Sequence, residues 1–184
     1  MKNLFLIVSV ALLFVSCTRS GDPDVTDIKV NIQLGRFDQD FFKIDTSNIA
    51  NSMQDLQTKY PGFLAGYVEN ILGLPLDSVM VNASAASDAV KQFVKDYTPV
   101  KDSCEKLFGD FAKQTREITA GLQHVKYYFP KYNLPGKIIT FIGPMDAFFS
   151  TSFGIQGDII TQQALGIALQ LHLGKDFSFY NSPQ

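Results

Sequence analysis

An apolar run near the N-terminus, which ends at a cysteine, most constrains which part of the chain can form the folded domain. Residues 4–15 are apolar except for Ser9. A run of this length is typical of a signal-peptide core and is too short to span a bilayer as a helix. Ser16 is a small residue directly before Cys17, and lipoprotein signal peptidase cleaves at such a junction. We therefore expect residues 1–16 to be a signal peptide.

The same junction predicts that lipid attached to Cys17 holds the protein on a membrane. The thiol would take a diacylglycerol through a thioether, and cleavage would free the amine for a further acyl chain such as palmitate. Two or three chains anchor firmly, because each buried methylene contributes about 0.8 kcal/mol. The alternative is an ordinary secretory signal with a chance cysteine. Residues 17–27 would be a flexible lipidated tether, and residues 28–184 one α+β domain.

The composition limits the class of protein. The chain is 46% hydrophobic and 18% charged, with a net charge of −2, which excludes a disordered chain. It also argues against nucleic-acid binding, which usually needs a basic balance. The second cysteine, Cys104, lies on the apolar stripe of a predicted helix, so we expect a small buried hydrophobe rather than a catalytic thiol.

Hydrophobic periodicity predicts a mostly helical N-terminal part. Residues 28–33 alternate like a half-buried strand, and residues 36–42 are typical of a short helix or a tight corner. Apolar residues at helical spacing then predict four helices. These are a helix capped by Asp45, Thr46 or Ser47, a second from Pro61 to residue 72, and two longer ones over residues 84–97 and 101–127.

The pattern changes in the last third of the chain. Residues 137–142 predict a strand, paired as a hairpin with a second strand over residues 148–153. Asp158 would cap a helix over residues 159–173 that is apolar nearly all round, as in a central buried helix. The predicted fold is therefore α+β, with a mostly helical domain, a small antiparallel sheet and a buried C-terminal helix.

A helical layer followed by strands and a buried helix is an order also found in zinc metallopeptidases. Those enzymes need His-Glu-x-x-His on the buried helix, which provides two metal ligands and a general base. The helix predicted here carries a single histidine, His172, at its far end and no glutamate. We therefore predict no metal site, no cofactor and no catalytic residue.

Two other groups of side chains could form sites. Asp38 and Asp40 could be paired carboxylates, but we expect solvated charges on an amphipathic turn. An aromatic cluster could be a ligand-binding surface, but we expect core and edge packing at a helix end. Its members are Tyr127, Tyr128, Phe129 and Tyr132.

A degenerate hydrolase that acts on envelope material is a further alternative. Its candidate groups would be Asp146, Asp158 and His172, and a structure that separates them would exclude it. His124 is expected to be an ordinary surface or packed histidine. The glycines fit no phosphate loop or dinucleotide fingerprint, and no Gly-x-Ser-x-Gly occurs.

Several phrases resemble one family when they are taken in order behind Cys17. They are RFDQDFF at residues 36–42, KYPGF at 59–63, LF at 107–108, VKYYFP at 125–130 and LHLGKDFSFY at 171–180. Together they are similar to the gliding motility-associated lipoprotein GldB family of the Bacteroidetes. The resemblance covers residues 28–180.

This resemblance implies a non-catalytic lipoprotein of the cell envelope that acts through protein contacts in gliding or its associated secretion machinery. Thr18 stands where a retention aspartate would follow the cysteine, so we expect the outer membrane. The tether lacks a strong acidic run, so we expect the protein to face the periplasm. Family members usually carry an acidic residue where this chain has Gln170, and they continue beyond residue 176. We therefore expect a truncated chain or a divergent short relative.

Overall fold

A computed structural model describes residues 21–146, 149–151 and 154–181. The predicted signal peptide and the lipid site at Cys17 lie outside the described residues. The α+β class predicted from the sequence is confirmed, since helices and a small mixed sheet together make up the domain.

Six helices lie between the first two strands, and no described helix has the length and apolarity needed to cross a membrane. They are α1 (Phe37–Phe41), α2 (Ile49–Lys59), α3 (Phe63–Gly66, continued by a π turn over Tyr67–Ile71), α4 (Leu76–Met80), α5 (Ser84–Phe108) and α6 (Ala112–Tyr128). The cap of α2 is Asn48, whose side chain accepts a hydrogen bond from the N–H of Asn51.

The sheet is mixed, so the prediction of an antiparallel sheet was wrong. The described strands are β1 (Gln33–Arg36), β2 (Lys137–Phe141), β3 (Phe149–Thr151), β4 (Gly154–Gln156), β5 (Ile159–Ile160) and β6 (Ala164–Ala168). The four-stranded sheet has the order β1-β2-β6-β5, in which β1, β2 and β6 are parallel and β5 is antiparallel to β6. The long helical segment between β1 and β2 provides the crossover that parallel pairing requires.

Strand β2 is covered on both faces. Ile139 and Phe141 pack into a core with α1 to α4, whereas Ile138 and the adjacent Ile142 pack into a second core with the end of α5 and the start of α6. A parallel strand covered on both faces is a nearly continuous apolar run rather than an alternating one. The domain is therefore a sheet between two helical layers.

The hairpin predicted between residues 137–142 and 148–153 is also wrong. Strand β2 pairs with β1 and β6, whereas β3 pairs with β4 in a separate two-stranded antiparallel sheet. Residues 147–148 and 152–153 lie outside the described part of the chain.

The buried C-terminal helix over residues 159–173 was predicted wrongly. The segment forms β5, β6 and a 3-10 turn over Leu169–Leu171. A short apolar run suits a buried strand as well as a buried helix, and periodicity alone cannot separate them. Gly166 lies in β6, where a Cβ would lie 3.3 Å from the ring of Phe141. The comparison with zinc metallopeptidases rested on that helix.

The two long helices divide at a different place from the one predicted. Helix α5 continues through Pro99, and the break falls at Gly109 and Phe111, whose φ angles are +54° and +62°. A proline inside a helix removes a backbone hydrogen bond. The helix continues because Val90, Val100 and Cys104, on both sides of Pro99, are buried in the core. The first strand also begins later than predicted, at Gln33.

Gly35 is the tightest glycine in the sheet. A Cβ built there would lie 2.8 Å from Cε1 of Tyr60, closer than non-bonded carbon atoms can approach. The ring of Tyr60 cannot move easily, because its O–H donates to Asp40 and its side chain is buried. Strand β1 therefore needs glycine at this position.

We predict that Gly35→Ala lowers the free energy of unfolding by about 1–3 kcal/mol, because the added methyl overpacks the space against Tyr60. Gly121→Ala is the matched control, since a Cβ at Gly121 in α6 meets nothing within 4 Å. It should stabilise the protein by about 0.5–1 kcal/mol through helix propensity. Urea unfolding of both variants tests this, and equal effects would contradict it.

Candidate functional site

The structure brings together two of the residues singled out from the sequence, Asp158 and His172. Asp158 stands directly before β5, and His172 follows the turn after β6. His172 Nε2 lies 3.0 Å from Asp158 Oδ2 and 3.2 Å from Oδ1. Asp158 Oδ1 also accepts a hydrogen bond of 2.8 Å from the N–H of Ala168. One carboxylate therefore ties both ends of the β5–β6 segment.

The pair lines a small, mostly apolar pocket of about 290 Å³. This pocket lies between the α5–α6 connection and the sheet. Its other lining residues are Phe108, Phe111, Gln114, Glu117, Ile118, Ile167 and Leu169. A catalytic triad consists of a nucleophile, a histidine and a carboxylate. The pair matches the last two, so a catalytic role would also require a nucleophile beside His172.

Within residues 21–146, no serine, threonine or cysteine donates to His172. Asp146 is exposed, and within the described part of the chain it makes no hydrogen bond with Asp158 or His172. The thiol of Cys104 is buried as expected, and burial raises its pKa to about 12, so it stays protonated. The described residues also include no cluster of three or more metal-ligating side chains. Because it joins the start of β5 to the turn after β6, we call the Asp158–His172 pair a structural clamp. The hydrolase alternative is not favoured.

Asp38 is buried rather than solvated, so that prediction was wrong. Its carboxylate accepts two hydrogen bonds from Arg36, of 3.0 and 2.8 Å, and one of 2.5 Å from the hydroxyl of Thr140. Arg36 also donates to the carbonyl of Gly109 at 2.6 Å, and its guanidinium lies 6.0 Å from the ring centroid of Phe111. The pair thus joins β1, α1, β2 and the α5–α6 connection.

Asp40 faces a different set of partners. It accepts from the hydroxyl of Tyr60 and forms an ion pair of 2.6 Å with Lys59. Burial, together with this carboxylate acceptor, raises the pKa of Tyr60 well above its usual range. Asp38 and Asp40 share no partner in these contacts, so they do not form the catalytic pair considered from the sequence.

The aromatic cluster is exposed, which corrects the expectation of core packing. The exposed fractions are 50% for Tyr127, 59% for Tyr128, 63% for Phe129 and 50% for Tyr132. A ligand-binding role required a deep apolar pocket at this place, and such exposure does not favour one. His124 is ordinary, with Nδ1 2.9 Å from the carbonyl of Ala120.

The structure shows two further features that bear on function. A cleft of about 850 Å³ opens at the N-terminal ends of the parallel strands, and separate segments contribute its amide side chains, among them Gln33, Gln162 and Gln163. The other feature is Gln170, which is fully buried and has no partner for its side-chain amide within the described part of the chain. No sequence motif marks the cleft. The sequence marked Gln170 only as a departure from the resembled family, and its burial arises from tertiary packing.

We predict that Asp38→Ala lowers the free energy of unfolding by about 3–5 kcal/mol, because the nearly buried guanidinium of Arg36 would lose its only carboxylate partner among the described residues. Asp40→Ala is the control, since Asp40 is 26% exposed and should lower it by no more than about 2 kcal/mol. Chemical denaturation of the two variants measures the difference. A similar loss in both would contradict the assignment of Asp38 as the buried tie.

The hydrogen bond with Asp158 raises the pKa of His172 above 6.5. Stability from a raised histidine pKa is complete below the unfolded value and is lost as pH rises through the folded value. We therefore predict that the free energy of unfolding of the wild type falls as pH rises from about 6.5 through the folded pKa of His172. The fall should be smaller in Asp158→Asn. Because His172 is 46% exposed, the change should be below about 1 kcal/mol. NMR titration of His172 checks the pKa, and an unchanged value in Asp158→Asn would contradict the clamp.

Comparison with known proteins shows the family of this chain. A family model described as gliding motility protein GldB matches residues 18–184, which is most of the sequence. No curated protein and no solved structure matches the chain. The match agrees with the resemblance noted in the sequence, and its range includes all the phrases that carry that resemblance. The chain belongs to the gliding motility protein GldB family.

Proposed function

We propose that the protein is a lipid-anchored, non-catalytic component of the cell envelope that acts through contacts with other proteins of the gliding or associated secretion machinery. The family match carries this proposal. The contacts of the candidate catalytic side chains also support it, since Asp38 forms an ion pair with Arg36 and Asp158 pairs with His172. A protein of this kind works through its surfaces.

The anchor in this proposal is lipid on Cys17. Val25 is already buried in the domain, and only eight positions separate it from Cys17. An extended chain spans at most about 3.6 Å per residue, so the tether would hold the domain within about 30 Å of its acylated end. We place the anchor in the outer membrane with the domain facing the periplasm.

The cleft at the N-terminal ends of the parallel strands is the surface that we assign to protein contacts. Its volume is about 850 Å³, and Asn31, Gln33, Gln162 and Gln163 line it. Side-chain amides both donate and accept hydrogen bonds, so they suit the polar backbone of a partner segment. Lys137 at the same place adds a positive charge.

We predict that Cys17→Ala abolishes incorporation of labelled palmitate, because the thioether cannot form without the sulfur. The variant should also migrate as an uncleaved precursor and be lost from the outer-membrane fraction. Cys104→Ser is the matched control, because Cys104 is buried within the domain and should leave labelling unchanged. Metabolic labelling and membrane fractionation measure both. Label that persists in Cys17→Ala would contradict the anchor.

Deletion of the gene in the native organism tests the function itself. We expect the deletion strain to lose surface spreading or protein secretion, and the wild-type and Cys104→Ser chains to restore what is lost. Cys17→Ala should not restore it, since the domain would be misplaced. Normal spreading, secretion and envelope integrity in the deletion strain would overturn the proposed function. Failure to recover any stable partner from solubilised membranes would count against protein contacts.

A further inference from the structure

The end of α6 and the loop after it form an exposed aromatic surface, which we name the aromatic tip. It consists of Tyr127, Tyr128, Phe129 and Tyr132, flanked by Lys126 and Lys131. Half of the eight large hydrophobic side chains that are exposed in the described residues belong to it. Helix α6 has no buried residue of its own. A concentration of exposed apolar side chains of this kind marks a contact surface.

Local contacts hold the tip in shape. The rings of Tyr127 and Tyr128 meet edge to face with centroids 5.0 Å apart. The N–H of Tyr132 donates to the carbonyl of Phe129 at 2.9 Å, and Lys126 Nζ donates to the carbonyl of Tyr132 at 3.4 Å. The aromatic side chains are thus presented by a closed turn.

The charge around the tip is positive, although the whole chain has a net charge of −2. No aspartate or glutamate occurs over residues 118–145, whereas Lys126, Lys131 and Lys137 all lie there. In the described part of the chain, neither Lys126 nor Lys131 forms an ion pair. The tip therefore suits a partner surface that is negatively charged.

The N-terminal segment runs beside the same helix. Gln123 Nε2 donates to the carbonyl of Ile28 at 2.8 Å, and Gln123 is one helical turn before Tyr127. The segment that leads back to Cys17 thus contacts α6 close to the tip. An acyl anchor at Cys17 would bring the tip within reach of the bilayer.

We propose that the aromatic tip binds the surface of a bilayer that contains anionic lipids. Tyrosine and phenylalanine rings favour the membrane interface, where an apolar ring and a polar edge are both accommodated. The ammonium groups of Lys126 and Lys131 would reach the anionic headgroups. The inference rests on the proposed anchor, because the acyl chains bring the tip to the membrane, and it adds a second contact that fixes the orientation of the domain.

The chain contains no tryptophan, so Phe129→Trp provides a single fluorescent reporter in the tip. The acylated protein would be purified from its native envelope and reconstituted into phosphatidylethanolamine vesicles with or without phosphatidylglycerol. We expect a blue-shifted emission that brominated lipids quench, and stronger quenching with phosphatidylglycerol. Val81→Trp is the control, because Val81 is 75% exposed and follows α4, which packs on the opposite face of the sheet from α6. Its emission should not respond.

The lysines give a second measurement. In Phe129→Trp, replacing both Lys126 and Lys131 with glutamine should lower the ratio of bound to free tip about fivefold for each charge removed, because a basic residue near an anionic surface contributes about 1 kcal/mol. Added salt should likewise weaken binding of the Phe129→Trp protein that keeps both lysines, and it should have little effect on the variant that lacks them. Equal quenching on both vesicle types and in both variants would contradict the charge component.

The remaining outcomes separate the inference from the anchor. A protein that floats with the vesicles but shows no quenching at Phe129→Trp overturns the inference alone. Quenching without incorporated palmitate supports the tip and overturns the anchor, and the absence of both overturns the two together. Shielding of Phe129→Trp in native envelopes but not in lipid vesicles would assign the tip to a protein partner and overturn the proposal.

Discussion

The ion pair between Arg36 and Asp38 is the interaction on which the architecture depends. Both side chains are nearly removed from solvent, and charges at such a site are stable only when their hydrogen bonds are satisfied. The forked guanidinium meets the carboxylate at two atoms and still reaches the carbonyl of Gly109. Thr140 completes the set from the central strand. The two helical layers are therefore fixed to the sheet, and to each other, around one charge pair.

The polar side chains that the sequence offered as catalytic candidates make contacts within the fold, whereas features suited to binding lie at the surface. Asp40 orients Tyr60 against Gly35, and Asp158 closes the segment from β5 to His172. The cleft at the strand ends and the aromatic tip remain open to solvent. The chain belongs to a gliding motility family, and the proposed protein contacts would use these surfaces.

Sequence patterns predicted local structure well and tertiary structure less well. The stripe of Ile49, Met53 and Leu56 correctly predicted a helix, because one apolar face recurs at a single period. The run at residues 164–168 did not reveal a strand, because a strand buried on both faces has no alternation. Asp38 was expected in solvent, since nothing local shows that Thr140 and Gly109 will meet it and its neighbour Arg36. The aromatic tip was expected to be packed, since hydrophobicity does not show which face stays uncovered.

The parallel pairing of β1 with β2 has a consequence for how the molecule reaches its native state. Gln33 pairs with Lys137, so the first strand can find its neighbour only after the whole intervening helical segment is present. Contacts between such distant positions form slowly, because closing a long loop loses chain entropy before pairing restores it. The strand that emerges first during synthesis is therefore among the last to be paired, and until then its unpaired edge must be kept from other chains.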